Sequence, residues 1–174
     1  MKTIKYQNEQ DRCYGLTGMA VSVVVLDREE YMASIDLDAD VEHMLEFTPQ
    51  FFFAGNPRLS ARLAWGQMLE QYKLAINMLA GNVLSRCYVH RKEELSTELL
   101  KELHSILVEE GKETCSLDED EIDSMFKSEF SYMQRVFSHP GVQKIVNNFA
   151  DHLQQQRHMT VREVLEELAP LARL

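Results

Sequence analysis

The chain is poor in the residues that make turns, with 7 glycines and 4 prolines among 174 residues. That leaves little material for the tight connections of a many-stranded β protein. Cysteine is scarce as well. Cys13, Cys87 and Cys115 form an odd set at wide spacings, which excludes a disulfide framework and suits reduced thiols. No long hydrophobic run exists: the least charged stretch, Leu74 to Ser85, is interrupted by Asn77 and Asn82 and falls well short of the ~20 apolar residues that span a bilayer. The first residues, MKTIKYQNEQD, carry no apolar stretch behind their lysines, so no secretory signal is read and a cytoplasmic location is expected. Basic charge is also in deficit. Eighteen Lys and Arg stand against 28 Asp and Glu, a formal net charge of −10, which disfavours nucleic acid and anionic membrane surfaces as partners.

Several chemical signatures are missing too. There is no Walker A sequence, no GxGxxG and no GxSxG elbow; Gly15-Leu16-Thr17-Gly18 lacks the lysine and spacing of a phosphate loop. Asp36, Asp38 and Asp40 take the first positions of an EF-hand loop, but Val41 stands where glycine must turn and Phe47 where glutamate must bind. No repeated Glu-x-x-His occurs. Asp40 with His43, His43 with Glu46, and Cys87 with His90 are one-turn pairs only, so neither a metal nor a cofactor is expected and no catalytic residue is assigned. Cys115, just before a possible helix start, and Cys87, beside Arg86 and Arg91, are the two thiols best placed for activation; a buried apolar role is the stronger reading of both.

What the chain does have is helical periodicity. Forty-five per cent of its residues are hydrophobic, and most fall on stripes at steps of three and four. Asn56-Pro57 reads as a cap and first-turn proline, followed by Ala61, Trp65, Met68, Tyr72, Ile76, Leu79, Val83 and Cys87 along one long helix, Asn56 to Tyr88. Its uncharged second half places it at the centre of a bundle. Ser96 caps a helix that Gly111 is placed to end. Ser116-Leu117-Asp118-Glu119 fits a capping box ahead of Ile122, Phe126, Phe130, Met133 and Phe137, with His139-Pro140 marking the next boundary. Thr160-Val161-Arg162-Glu163 is a second capping box, with Met159 and Val164 as its hydrophobic staple.

The N-terminal third is ambiguous, because Val21 to Leu26 reads VSVVVL and suits a strand as well as a helix. Helix is the preferred reading, continuing a face of Leu16, Met19, Val23, Leu26 and Ile35, since no hairpin signal offers a strand a partner. A short helix is expected near Val41 to Phe47. The overall expectation is an all-α, single-domain bundle of about six helices over residues 1–174, with residues 1–13 loosely ordered.

The segment that helical stripes leave unassigned is Phe47-Thr48-Pro49-Gln50-Phe51-Phe52-Phe53-Ala54-Gly55-Asn56-Pro57-Arg58. Consecutive phenylalanines between two prolines cannot all point one way; the rings either plug the end of the bundle, which is the stronger reading, or in part meet a partner or line a pocket. Phe51, Phe52, Phe53, Trp65, His43, Arg58 and Arg62 are therefore the candidate site, with the two arginines one turn apart and able to neutralise an acidic group. Two functions compete. The first is a non-enzymatic protein–protein interaction module or homo-oligomer. The second is a small-molecule binder or enzyme whose pocket has Trp65, Tyr72 and the Phe51 to Phe53 loop as walls.

Overall fold

A computed structural model describes residues 5–52 and 61–174, with backbone alone for 61–63. The chain forms α1 (Glu9–Val25), β1 (Met32–Asp36), β2 (Leu45–Phe47), α2 (Pro49–Phe52) and α3 (Ala61–Leu84). A π-helical segment, Ser85–Arg91, extends α3, and α4 (Thr97–Cys115), α5 (Glu119–Ser138), α6 (Pro140–Gln156), β3 (His158–Thr160) and α7 (Val161–Leu168) follow. The molecule is a helical bundle, as the stripes imply, and carries in addition one small three-stranded sheet among the described residues.

The β-branched run is helical, and the reason is where it lies. Leu16, Ala20, Val21 and Val23 are buried in α1, and this tertiary burial outweighs the modest helix penalty of valine. Asn8 caps α1 through the Asp11 N–H (2.8 Å), so helix begins, and Asp11 and Cys13 are buried, inside the stretch expected to be loose. Helices α1 and α3 cross with their backbones almost touching at Gly18 and Gly81. A Cβ on Gly18 would overlap the Gly81 carbonyl, and one on Gly81 would overlap the Ser22 hydroxyl, which itself donates to the Gly18 carbonyl (2.9 Å).

The sheet was not legible. Ile35 lies on β1 rather than on a helical face, and Val41 to Phe47 is a turn followed by β2 rather than a helix. β1 occupies the middle of the order β2-β1-β3 and is antiparallel to both neighbours. Its connection to β2 runs through residues 37–44, too long for a two-residue hairpin signal, and β3 arrives from the far end of the chain. Ile35 opposite Met159 on one side and Leu45 on the other turns the inner face to the core.

The long helix runs from Ala61, and its expected start at Asn56 lies outside the described residues. Its second half is buried as expected. Gly111 does not end α4, which continues to Cys115; instead a Cβ there would come 2.6 Å from Tyr72 Oη, so glycine is needed for the packing of α3 on α4. Ser116 closes α4 in the left-handed conformation (φ 53°) and does not cap α5. Asp118 does, accepting from Glu121 N (2.9 Å) while Glu121 accepts from Asp118 N (3.0 Å). The register two residues later also sets buried Leu117 and Ile122 at the two positions of a hydrophobic staple, which a start at Ser116 would not. His139 caps α6 ahead of Pro140, and Thr160 with Glu163 forms the capping box of α7.

Candidate functional site

The aromatic segment builds a projecting knob. Thr48 anchors it, its N–H donating to the Tyr31 carbonyl (2.8 Å) and its hydroxyl to the Glu30 carbonyl (2.9 Å). Pro49 then opens α2, a single turn in which successive side chains diverge by ~100°. One ring therefore turns in and the next turns out. Phe51 stacks on Phe47 with centroids 4.1 Å apart and meets Tyr31 edge-on at 5.9 Å. The Phe51 carbonyl accepts from Gln71 Nε2, fastening the turn to α3. Phe52 stands edge-on to both Phe51 (5.4 Å) and Phe47 (6.2 Å), yet is 70% exposed. Beside it lies a depression of about 390 Å³ lined by Glu30, Tyr31, Pro49, Gln50 and Gln67.

Trp65 and Tyr72 do not join this knob. Trp65 donates from Nε1 to the Cys115 carbonyl (3.2 Å) and is 47% exposed. It stands roughly 120–160° around α3 from Gln67 and Gln71, so Trp65 and Phe51 occupy different sides of that helix. Tyr72 is buried and donates to the Leu107 carbonyl (2.7 Å). Trp65, Tyr72 and Phe51 thus wall no common cavity. His43 is exposed in the turn before β2. Phe53 and Arg58 lie outside the described residues, and Arg62 is on α3 with its side chain outside them.

The thiols take the buried role. Burial pushes Cys13 up to about 12 and raises Cys115. Burial also raises Cys87 although Arg91 donates to its sulfur (2.9 Å). Cys115 ends α4, and with α5 capped at Asp118 it does not sit at a helix start. No group of three potential metal ligands occurs among the described residues.

Sequence reasoning missed a buried polar cluster. Arg86, in the π-helical segment, donates to Asp11 Oδ2 (2.6 Å), to Asn82 Oδ1 (3.2 Å) and to the Lys5 carbonyl (2.9 Å), and lies over the Tyr6 ring at 4.7 Å. Asn82 in turn donates to Tyr6 Oη (2.7 Å). In the sequence Arg86 belongs to the densest basic patch, with His90, Arg91 and Lys92, equally suited to salt bridges with Glu93, Glu94 or neighbouring helices. That patch is dispersed: His90 stacks on Tyr14 at 4.6 Å, Arg91 pairs loosely with Glu93 at 3.8 Å, and Lys92 is a left-handed helix cap. A second missed feature is Arg157, which clamps Glu9 and Asp38 and holds both carboxyls below their usual range by hydrogen bonding. Local spacing signals neither cluster, because apart from Asn82, four residues from Arg86, the partners are separated by 75 to 148 residues.

Comparison with protein-family models, with curated proteins and with solved structures yields no match, so the functional reading rests on this chain's own residues. No helix among the described residues is long and apolar enough to cross a membrane.

Proposed function

We propose that the protein is a non-enzymatic protein–protein interaction module that self-associates through the Phe52 knob, a second copy of the chain being the partner. The observation that carries this reading is a phenylalanine 70% exposed on a supported aromatic base. A ring held in place by its neighbours surrenders little freedom on docking, which is how aromatic anchors concentrate binding energy. An open, shallow depression lined by Glu30, Tyr31, Pro49, Gln50 and Gln67 adjoins the same aromatic base through Tyr31. A knob and a hollow side by side on one chain are the requirement of a two-fold contact, in which each copy's knob enters the other's hollow. Charge does not oppose it locally, since Glu30 is the one acidic or basic residue among the described residues lining that hollow, in a protein of net charge −10. Burial of Cys13, Cys87 and Cys115 as unpaired thiols supports the accompanying reading of a cytoplasmic location.

The test is photocrosslinking with benzoylphenylalanine at position 52. The reading predicts a covalent homodimer linked near Tyr31, Pro49 or Gln67. Adducts confined to the monomer would overturn it.

A further inference from the structure

A second surface, on the other side of α3, has a different chemistry. Trp65, Leu69 and Lys73 follow at steps of four along α3 and face Glu121, Met125, Ser128 and Glu129 of α5 across an open groove of about 650 Å³. The two helices run the same way here, because Trp65 reaches the residue chain before α5 and Asn77 donates to Glu129 Oε2 (2.8 Å) further along. From Trp65 to Lys73 the groove is ~12 Å long, matching about two turns of a docked helix.

Its floor is apolar in the middle, through half-buried Leu69 and Met125, and its walls are acidic. Asp118, Asp120, Glu121 and Glu129 all line it, and none makes an ion pair among the described residues. The one cation among the described residues lining the groove, Lys73, is already taken by Glu70 (2.9 Å). Four carboxylates therefore line the groove without a counter-charge among the described residues. At the same end as Asp118 and Asp120, the Trp65 ring is held by its Nε1 bond to Cys115. A guanidinium or ammonium set there would meet a ring and carboxylates together, the two environments that recognise a cation best.

We propose that this groove binds a short amphipathic helix of a partner protein, one that places a Lys or Arg between Trp65 and Asp120, an apolar side chain on Leu69 and Met125, and a second basic residue toward Glu129. Charge selects this occupant. A second copy seated groove to groove would oppose four carboxylates to four, while a basic helix removes a repulsion that the free protein bears. The proposal is separate from the Phe52 knob, which lies on another side of α3.

Trp65 is the only tryptophan, so its fluorescence reports the groove alone. The probe is a tryptophan-free amphipathic peptide of about 14 residues carrying Leu and Lys/Arg, with a Leu/Glu counterpart as control. The full-length protein should bind the basic peptide with a shifted Trp65 emission, bind the acidic one not at all, and lose about ten-fold in affinity from 50 to 300 mM salt. Ser128→Lys, at an exposed helical position, should weaken binding about ten-fold or more, as should Asp120→Lys, while Phe52→Ser leaves it unchanged. Unchanged melting curves show that these variants fold. Equal binding of both peptides, no binding of the basic one, binding indifferent to Ser128→Lys, or a wild-type dimer dissociated by Ser128→Lys would each overturn the proposal.

Discussion

Arg86 donates to Asp11 across 2.6 Å with both side chains buried, joining the end of α3 to the first turns of α1. The pair is incompletely satisfied. Asp11 Oδ1 and Arg86 Nε have no hydrogen-bond partner among the described residues, and a buried ion pair of this kind locks geometry more than it adds net stability. Breaking it should therefore cost far more than replacing it. Asp11→Asn or Arg86→Met alone should lower unfolding free energy in urea by about 3–5 kcal/mol, whereas Asp11→Leu with Arg86→Met should recover most of that loss. Additive losses in the double variant would contradict this.

The same pair sets an acid limit. Burial acts to raise the Asp11 carboxyl, but hydrogen bonds from Arg86 and from Gln7 N–H outweigh it and hold the group below its usual value. A lowered folded value means that the contribution is complete above the unfolded value, about 3.9, and is lost as pH falls through the folded one. Melting temperature should fall between about pH 4 and pH 2 in the wild type, and less steeply in the Leu–Met double variant.

The glycines of α1 and α3 should divide sharply. Gly18→Ala and Gly81→Ala push a methyl into backbone or into Ser22, and should destabilise by about 2–3 kcal/mol or more. Gly66 is also helical, but a Cβ there meets nothing within 4 Å among the described residues. Gly66→Ala should stabilise by about 0.5–1 kcal/mol, measured in the same denaturant titration.

The start of α5 offers a register test. Asp118→Ala should cost about 1 kcal/mol as a lost cap. Ser116→Gly should be neutral or stabilising by up to about 1 kcal/mol, because Ser116 sits at positive φ and caps nothing in α5. Were Ser116 the cap, the Ala substitution at 118 would be harmless.

Thiol chemistry gives a further measurement. With all three cysteines buried and their thiols raised by burial, native protein should react with a disulfide reagent at least about ten-fold more slowly than urea-unfolded protein, at Cys87 and Cys115 alike. One fast native thiol would reopen nucleophilic chemistry.

Legibility followed sequence distance. The helices α3 to α7 are readable because their caps and stripes are local: Ser96, His139-Pro140 and Thr160-Glu163 each announce a boundary within four residues. Where two local signals compete, as at Ser116 and Asp118, burial of Leu117 against Ile122 decides, and that is a tertiary fact. The three-residue strands β2 and β3 carry too little pattern to stand out, and β1 finds its partners only through the fold. The candidate site was half readable. The phenylalanine run flags itself by composition, but that Phe51 turns in while Phe52 turns out, and that Trp65 stands elsewhere, depends on how α2 meets α3. Of the four carboxylates lining the groove, Asp118, Asp120 and Glu121 belong to the start of α5, where acid is ordinary in any helix, and Glu129 lies further along it.

The central claim, self-association through Phe52, is tested most directly by sedimentation equilibrium of the wild type and Phe52→Ser from about 1 to 100 μM at 150 mM salt. The account predicts a concentration-dependent dimer for the wild type and a monomer for the variant, with superimposable circular dichroism. A wild type that stays monomeric throughout, or a dimer that survives the substitution, would contradict it.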